Sequence, residues 1–120
     1  MKHNLGDEAR IIHIIEAIAD IEMILNNVSL EDFLSNKEKK LATERLLEII
    51  GEASNHISEK ILYHPEIATP WRKIIGTRNL IVHEYFRINY DIIYQIAKDD
   101  IIPLKEEIQI IVKDLDKYLK

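Results

Sequence analysis

The chain has 120 residues, of which 47% are hydrophobic and 31% charged, so we expect one globular domain over residues 1–120 rather than a disordered chain. It contains no cysteine, which excludes disulfides, thiolate metal sites and cysteine nucleophiles. A net charge of −5 argues against a protein coated in nucleic acid, and the absence of a signal peptide or a bilayer-length apolar run predicts a soluble, cytoplasmic protein.

Hydrophobic residues recur at helical spacing along the chain, which has only three glycines and three prolines. This pattern predicts an all-α protein. The first predicted helix runs from about Gly6 to Asn26, and Ile12 widens its apolar face beyond what one partner helix covers, so we also expect a subunit contact here. The main face of that helix consists of Ile11, Ile14, Ile15, Ile18, Ile21 and Leu25.

Two further helices are predicted before the middle of the chain. Ser29 precedes a brief helix at about Leu30 to Leu34, and either Ser35 or Asn36 caps a long helix that reaches about Leu62. Gly51 lies inside the long helix, where a close helix crossing would explain its presence. The predicted apolar stripe of the long helix is Leu41, Leu46, Leu47, Ile50, Ala53, Ser54, Ile57 and Ile61.

Sequence signals in the second half of the chain predict three more helical segments. Thr69 and Pro70 form a start signal for a helix that begins at Trp71. Asn89 caps a helix from Tyr90 to about Lys98, and Pro103 indicates a restart near Asp100 before a last helix to about Tyr118. The last helix has the stripe Leu104, Ile108, Ile111 or Val112, and Leu115. Because the loops are short, we expect an antiparallel bundle of four to five helices.

The stretch "GTRNLIVHEYF", residues 76–86, places polar side chains among aliphatic ones. On a straight helix His83 is rotated from Arg78 by roughly 140°, so the two cannot converge on one small target. Either the helix breaks before His83 or a second copy of the chain completes the site. Asn79 lies four residues before His83 and is placed to hold its imidazole in one tautomer.

These residue types suit cleavage of RNA without a metal. A guanidinium grips phosphate through two parallel hydrogen bonds, and an imidazole moves protons near neutral pH. Arg78 and His83 would then assist the attack of a ribose 2′-hydroxyl on its own phosphate. Residues 72–87 carry a net charge of +3 within an acidic chain, which is compatible with a focused basic cleft but not with a broad basic surface. The alternative is that Arg78 and His83 are ordinary capping or surface groups.

"RNLIVHEYF" resembles the signature of the HEPN superfamily, and the tyrosine two positions after the histidine resembles its HepT-like toxin branch. The segments "RLLEIIGEASNHIS", "PWRKIIGTRN" and "DDIIPLKEEI" are similar to that family in the same order. The resemblance implies a dimeric helical bundle with the motif in a cleft between protomers. It also implies a metal-independent endoribonuclease toxin of tRNA or mRNA, with a minimal nucleotidyltransferase antitoxin as its partner.

Carried onto this chain, the resemblance makes Arg78 and His83 the ribonuclease residues, and Asn79 orients the histidine. It makes Tyr85 the hydroxyl to which the antitoxin transfers AMP from ATP. Two alternatives remain open at this point. One is a non-catalytic helical module that binds nucleotide or the nucleotidyltransferase, and the other is a purely structural dimerisation domain.

Other polar residues are candidates for lining the cleft. Glu52 and Asn55 share one helix face, which is either a solvated surface or the border of the cleft, and Arg72 and Arg87 flank the motif. The five histidines show no metal-ligand spacing, and no glycine-rich phosphate loop is present, so we expect neither a metal nor a cofactor.

Three aromatic residues are interpreted as core or interface residues rather than as platforms for RNA bases, because they lie at helical spacing. They are Trp71, Tyr90 and Tyr94.

Overall fold

The computed structural model describes residues 5–57, 61, 76, 88–115 and 117 of the chain. Every regular element in these ranges is helical, which confirms the all-α prediction. The elements are α1 (Leu5–Leu25), α2 (Leu30–Leu34), α3 (Lys37–Asn55), α4 (Tyr90–Gln95), a π-helical turn (Ile96–Asp100) and α5 (Ile101–Lys113). None of the helices described here combines the length and the apolar character that a membrane span requires.

Three helices begin at residues whose side chains accept hydrogen bonds from the first turn, as the sequence predicts. The Ser29 hydroxyl accepts from the backbone N–H of Asp32 at 3.1 Å and starts α2. Asn36, rather than Ser35, caps α3, because its Oδ1 accepts from the N–H of Lys39 at 3.0 Å. Asn89 accepts in the same way at the start of α4. These bonds satisfy backbone donors that have no partner inside the helix.

The carboxyl end of α1 is held by lysines from two other elements. Lys39 of α3 donates its ammonium to the carbonyl of Ile24 at 3.1 Å, and Lys98 of the π-helical turn donates to the carbonyl of Leu25 at 2.9 Å. Both lysines supply positive charge where the helix dipole is negative. Asn27, with a φ of 59°, then turns the chain toward α2. The first turn of α3 therefore lies beside the last turn of α1, as in an antiparallel pair.

The core is built from the predicted apolar stripes, with one error. The predicted face of α1 is buried, except that Ile15 is half-buried, and the buried residues of α5 resolve the choice between Ile111 and Val112 in favour of Ile111. Leu41 was predicted in the stripe of α3 but is 49% exposed. Leu41 precedes the buried Ile50 by nine residues. Nine residues make about two and a half turns, so Leu41 points to the opposite side of the helix, away from the core.

The long predicted helix ends at Asn55 instead of reaching Leu62. At its end the N–H of His56 bonds to the carbonyl of Ala53, and the N–H of Ile57 bonds to that of Ser54, both at 3.2 Å. Serine, asparagine and histidine follow one another here, and all three are poor helix formers, which explains the early stop. Ile61 is helical again and fully buried.

The predicted restart near Asp100 takes the form of the π-helical turn, which joins α4 to α5 without a loop. Its wider winding precedes Pro103, whose ring would clash with a carbonyl in a regular helix. α5 runs to Lys113 and is interrupted at Asp114, which leaves the helical conformation at φ −147° and ψ 63°. An acidic residue is unfavourable at the negative end of a helix dipole, which accounts for the interruption. Leu115 and Lys117 are helical again, and the predicted end near Tyr118 lies outside the described residues.

Tyr90 and Tyr94 pack on the buried Phe33 of α2, with ring centroids 6.4 and 5.3 Å from it. The hydroxyl of Tyr94 donates to the carbonyl of Val28 at 2.6 Å, and that of Tyr90 donates to Glu44 of α3 at 2.6 Å. Both rings are therefore committed to joining α4 to the rest of the bundle, which confirms their interpretation as core residues. Trp71 lies outside the described ranges.

Candidate functional site

The residues of the motif lie outside the part of the chain that the structure describes. This holds for Arg78, Asn79, His83 and Tyr85, and also for the flanking Arg72 and Arg87. Their assignments therefore stay predictions. Gly76, two residues before Arg78, is described; it is helical and exposed, as expected for the helix predicted to begin at Trp71.

A groove of about 520 Å³ lies between the first half of α1 and the second half of α3. Because the two helices are antiparallel, these halves face each other. The α1 wall is formed by Gly6, Ala9, Arg10 and His13. The α3 wall is formed by Arg45, Glu48, Ile49, Glu52, Ala53 and His56. Each set follows helical spacing of three and four residues, so each wall is one continuous helix face.

The α3 wall contains two ion pairs within the helix. Arg45 Nη1 lies 2.6 Å from Glu48 Oε1, and His56 Nε2 lies 3.0 Å from Glu52 Oε1. Such neighbouring pairs on one helix face neutralise each other locally when both members are charged. The α3 wall therefore presents polar groups without a strong charge of one sign.

The α1 wall carries a different kind of group. Arg10 is half-buried and His13 is exposed, three residues apart on the same helix face. Among the described residues Arg10 makes no ion pair or side-chain hydrogen bond. A guanidinium is always charged and carries five N–H donors. The groove therefore has a cation on one wall that is available to an anionic group.

The two described residues that were predicted to border a cleft differ in position. Glu52 lines the groove, whereas Asn55 is exposed and is not among the lining residues. Asn55 is rotated about 60° from Glu52 on the helix, on the side away from Ile49 and Ala53. No group of three histidine, cysteine, aspartate or glutamate side chains suited to a metal ion occurs within the described ranges.

Arg10, His13 and Arg45 were not singled out from the sequence, although the sequence contained a signal for them. Each is spaced at three or four residues from small or apolar positions of its own helix. That spacing shows which face they occupy, but it does not show that the face of α1 lies opposite the face of α3. Only the pairing of the two helices brings these residues together.

Comparison with known proteins identifies the relatives of this chain. The profile of the family described as "Ribonuclease HepT-like" matches residues 14–111. A Thermococcus cleftensis protein named "Probable ribonuclease HepT" is 41% identical, with 77% of this chain and 83% of that protein aligned. A Methanocaldococcus jannaschii protein named a "Putative RNase" is 33% identical, with 87% of this chain and 94% of that protein aligned.

A third relative carries a more specific name. The "tRNA nuclease HepT" of Aphanizomenon flos-aquae is 34% identical, with 49% of this chain and 56% of that protein aligned. No solved structure matches the chain at a significant level. Because the family profile covers residues 14–111 and several relatives align over most of their length, the chain belongs to the ribonuclease HepT-like family.

Proposed function

We propose that this protein is a metal-independent endoribonuclease toxin that acts on tRNA or mRNA as a homodimer in the cytoplasm. The observation that carries this proposal is the family match over residues 14–111, which spans the stretch containing Arg78 and His83. The names of the relatives, which include a ribonuclease and a tRNA nuclease, support RNA as the substrate.

The proposed reaction uses the residues of the motif and the 2′-hydroxyl of the RNA. The 2′-oxygen attacks the adjacent phosphorus, the bond to the 5′-oxygen breaks, and the products are a 2′,3′-cyclic phosphate and a free 5′-hydroxyl. His83 transfers the proton between these oxygens, and Asn79 orients its imidazole. Arg78 stabilises the negative charge that gathers on the phosphoryl oxygens.

A homodimer accounts for the geometry that one helix cannot provide. Arg78 and His83 point about 140° apart on a straight helix, and in a dimer the second chain would supply the residue that a straight helix turns away from the site. Large apolar side chains are exposed on the described surface and support an interface. They include Ile12 at 42%, Met23 at 70%, Ile102 at 51% and Ile110 at 58% exposure. Ile12 and Met23 are eleven residues apart, which places them on one face of α1, and that face would supply apolar area to the interface.

Regulation of the toxin is proposed to occur at Tyr85. A nucleotidyltransferase antitoxin would bring ATP to this residue. The Tyr85 oxygen attacks the α-phosphorus, the bond to the β-phosphate oxygen breaks, pyrophosphate leaves and the phenolic proton is released to solvent. The attached AMP adds a negative phosphodiester two residues from His83 and blocks the approach of RNA phosphates by charge and by bulk.

One experiment tests both the ribonuclease activity and its regulation by AMP transfer. RNA cleavage in the presence of EDTA is measured with the purified protein before and after incubation with its nucleotidyltransferase and ATP, and intact mass is recorded in parallel. We expect the unmodified protein to cleave RNA, and to lose this activity as AMP increments appear. Tyr85→Phe should gain no AMP and keep cleaving after the incubation, whereas Arg78→Ala and His83→Ala should lose activity by about 100-fold or more before it.

Different results would reject different parts of the proposal. Cleavage by Arg78→Ala and His83→Ala at the rate of the parent protein would show that the motif is not the catalytic site. AMP increments that persist in Tyr85→Phe would place the modification elsewhere. A protein that binds the nucleotidyltransferase tightly but leaves all RNA intact would be the non-catalytic module instead.

A further inference from the structure

We propose that the groove between α1 and α3 binds a nucleotide of the RNA substrate, with Arg10 contacting a phosphate. This inference rests on the proposed ribonuclease function and adds a contact surface formed by residues of α1 and α3. The described lining residues all belong to α1 or α3, except His56, which directly follows α3.

The charge of the groove favours an anionic group at Arg10. On the α3 wall, Arg45 lies against Glu48 and His56 lies against Glu52, so each of these side chains already has an acidic partner. Arg10 has no such partner among the described residues and is half-buried. A partly desolvated guanidinium gains most from a bidentate contact with an anion, and a phosphodiester offers two oxygens in the matching geometry.

The shape of the groove favours a nucleotide rather than a lone phosphate ion. Gly6, Ala9 and Ala53 have small side chains or none, which opens the space between the helices, and Ile49 contributes an apolar surface. The volume of about 520 Å³ lies within the range of pockets that hold small organic molecules. A base can lie against the small and apolar residues while its phosphate reaches Arg10, and an imidazole such as that of His13 can stack on it.

The charges of the groove favour a nucleotide over an acidic peptide. Arg10 is a guanidinium without an acidic partner among the described residues, so it can balance one phosphate but not a run of acidic side chains. A nucleotide combines one anionic phosphate with N–H donors on its base edge, and carboxylates accept hydrogen bonds from such donors. The Arg10 guanidinium on one wall and the hydrogen-bond acceptors on the other thus match the phosphate and the base edge of a nucleotide.

The test measures binding of an RNA that the protein cannot cleave. Fluorescence anisotropy is recorded with a short RNA whose 2′-hydroxyls are methylated, because the proposed reaction needs a free 2′-hydroxyl. Arg10→Gln is compared with Lys37→Gln, which removes the same charge from an exposed residue in the first turn of α3, at the far end from the groove. We expect Arg10→Gln to weaken binding about 5- to 10-fold and to lower the salt dependence by about one phosphate contact.

Lys37→Gln should change binding by less than about 2-fold, since an exposed charge away from the site acts only through screened attraction. If Arg10→Gln matches Lys37→Gln while the parent protein cleaves ordinary RNA, the groove proposal is wrong and the proposed function stands. If the parent protein neither binds the methylated RNA nor cleaves ordinary RNA, both are wrong.

A second measurement uses the parent protein and covers the case in which Arg10→Gln fails to fold. The imidazole proton signals of His13 and His56 are assigned by NMR and followed as the methylated RNA is added. Both side chains line the groove, so both signals should shift with the same concentration dependence as the anisotropy. Unchanged signals at saturating RNA would overturn the proposal.

Discussion

A residue's role can be proposed from the sequence when its partners lie close by in the chain, but not when they lie on another helix. The motif from Arg78 to Tyr85 was recognised by its resemblance to a family signature, and the roles of its residues stay predictions, because these residues lie outside the described ranges. Arg10 and His13 were missed, since each is an ordinary polar residue on an amphipathic helix until α3 is placed opposite. Sequence spacing gives the face of a residue, but the neighbour of that face depends on the packing of the whole bundle.

Tyr90 shows how packing changes the chemistry of a single residue. Its hydroxyl donates to Glu44 at 2.6 Å, and the ammonium of Lys40 lies 5.0 Å from its ring centroid. Burial, the hydrogen bond to Glu44 and the negative charge of Glu44 raise the pKa of Tyr90 to about 12 from 10.0. A raised folded-state pKa stabilises the fold below pH 10, and this contribution is lost as the pH rises from 10 toward 12.

We predict that Tyr90→Phe lowers the free energy of unfolding by about 1–2 kcal/mol at pH 7, because it removes a hydrogen bond to a charged acceptor. The difference from the parent protein should shrink between pH 10 and pH 12. Urea denaturation at pH 7, 9 and 11 measures it. Glu44→Gln is the matched control, since it keeps an acceptor but removes the charge. As the pH rises from 10 to 12, this variant should lose less stability than the parent protein does. If the free energies of unfolding of the parent protein and of Tyr90→Phe fell in parallel up to pH 12, the raised pKa could not be assigned to Tyr90.

At the scale of elements, helix starts were predicted better than helix ends. Ser29, Asn36 and Asn89 were identified in advance because an N-cap depends on a side chain and the backbone two or three residues away. The end of α3 came earlier than the apolar stripe suggested, because Asn55 and His56 stop the helix while the hydrophobic spacing continues. The interruption of the last helix at Asp114 was likewise not predicted by its stripe. The groove between α1 and α3 is a property of two elements, so neither helix alone predicted it.

The choice between two caps gives a prediction for α3. Asn36→Ala should lower the free energy of unfolding by about 1 kcal/mol, because the Asn36 Oδ1 accepts from the N–H of Lys39. Ser35→Ala should change it by less than about 0.5 kcal/mol, because the exposed Ser35 hydroxyl donates only to the carbonyl of Asp32. Chemical denaturation of the two variants makes the comparison. Equal losses, or a larger loss for Ser35→Ala, would show that the cap has been assigned to the wrong residue.

At the scale of the molecule, the described helices pack as an antiparallel bundle. Lys105 of α5 pairs with Glu22 of α1 at 2.9 Å, and Lys98 reaches the end of α1, so α5 runs antiparallel to α1, as α3 does. This much followed from short loops and helical periodicity. The proposed dimer adds the feature that one chain cannot supply, which is a site where Arg78 and His83 from different copies meet.

The most direct test of that claim is RNA cleavage by a mixture of two inactive variants. Arg78→Ala and His83→Ala are each purified, mixed in equal amounts and allowed to exchange subunits before RNA is added in the presence of EDTA. If each site combines Arg78 of one chain with His83 of the other, half the dimers become mixed and each carries one intact site. The mixture should then regain about a quarter of the parent activity.

The matched control mixes Arg78→Ala with the double variant Arg78→Ala, His83→Ala, which can form no intact site and should stay inactive. Subunit exchange is confirmed by native mass measurement of differently tagged chains. A first mixture that exchanges fully and regains about a quarter of the parent rate would support a site shared by two chains. A mixture that exchanges fully but cleaves no more RNA than the control would contradict it.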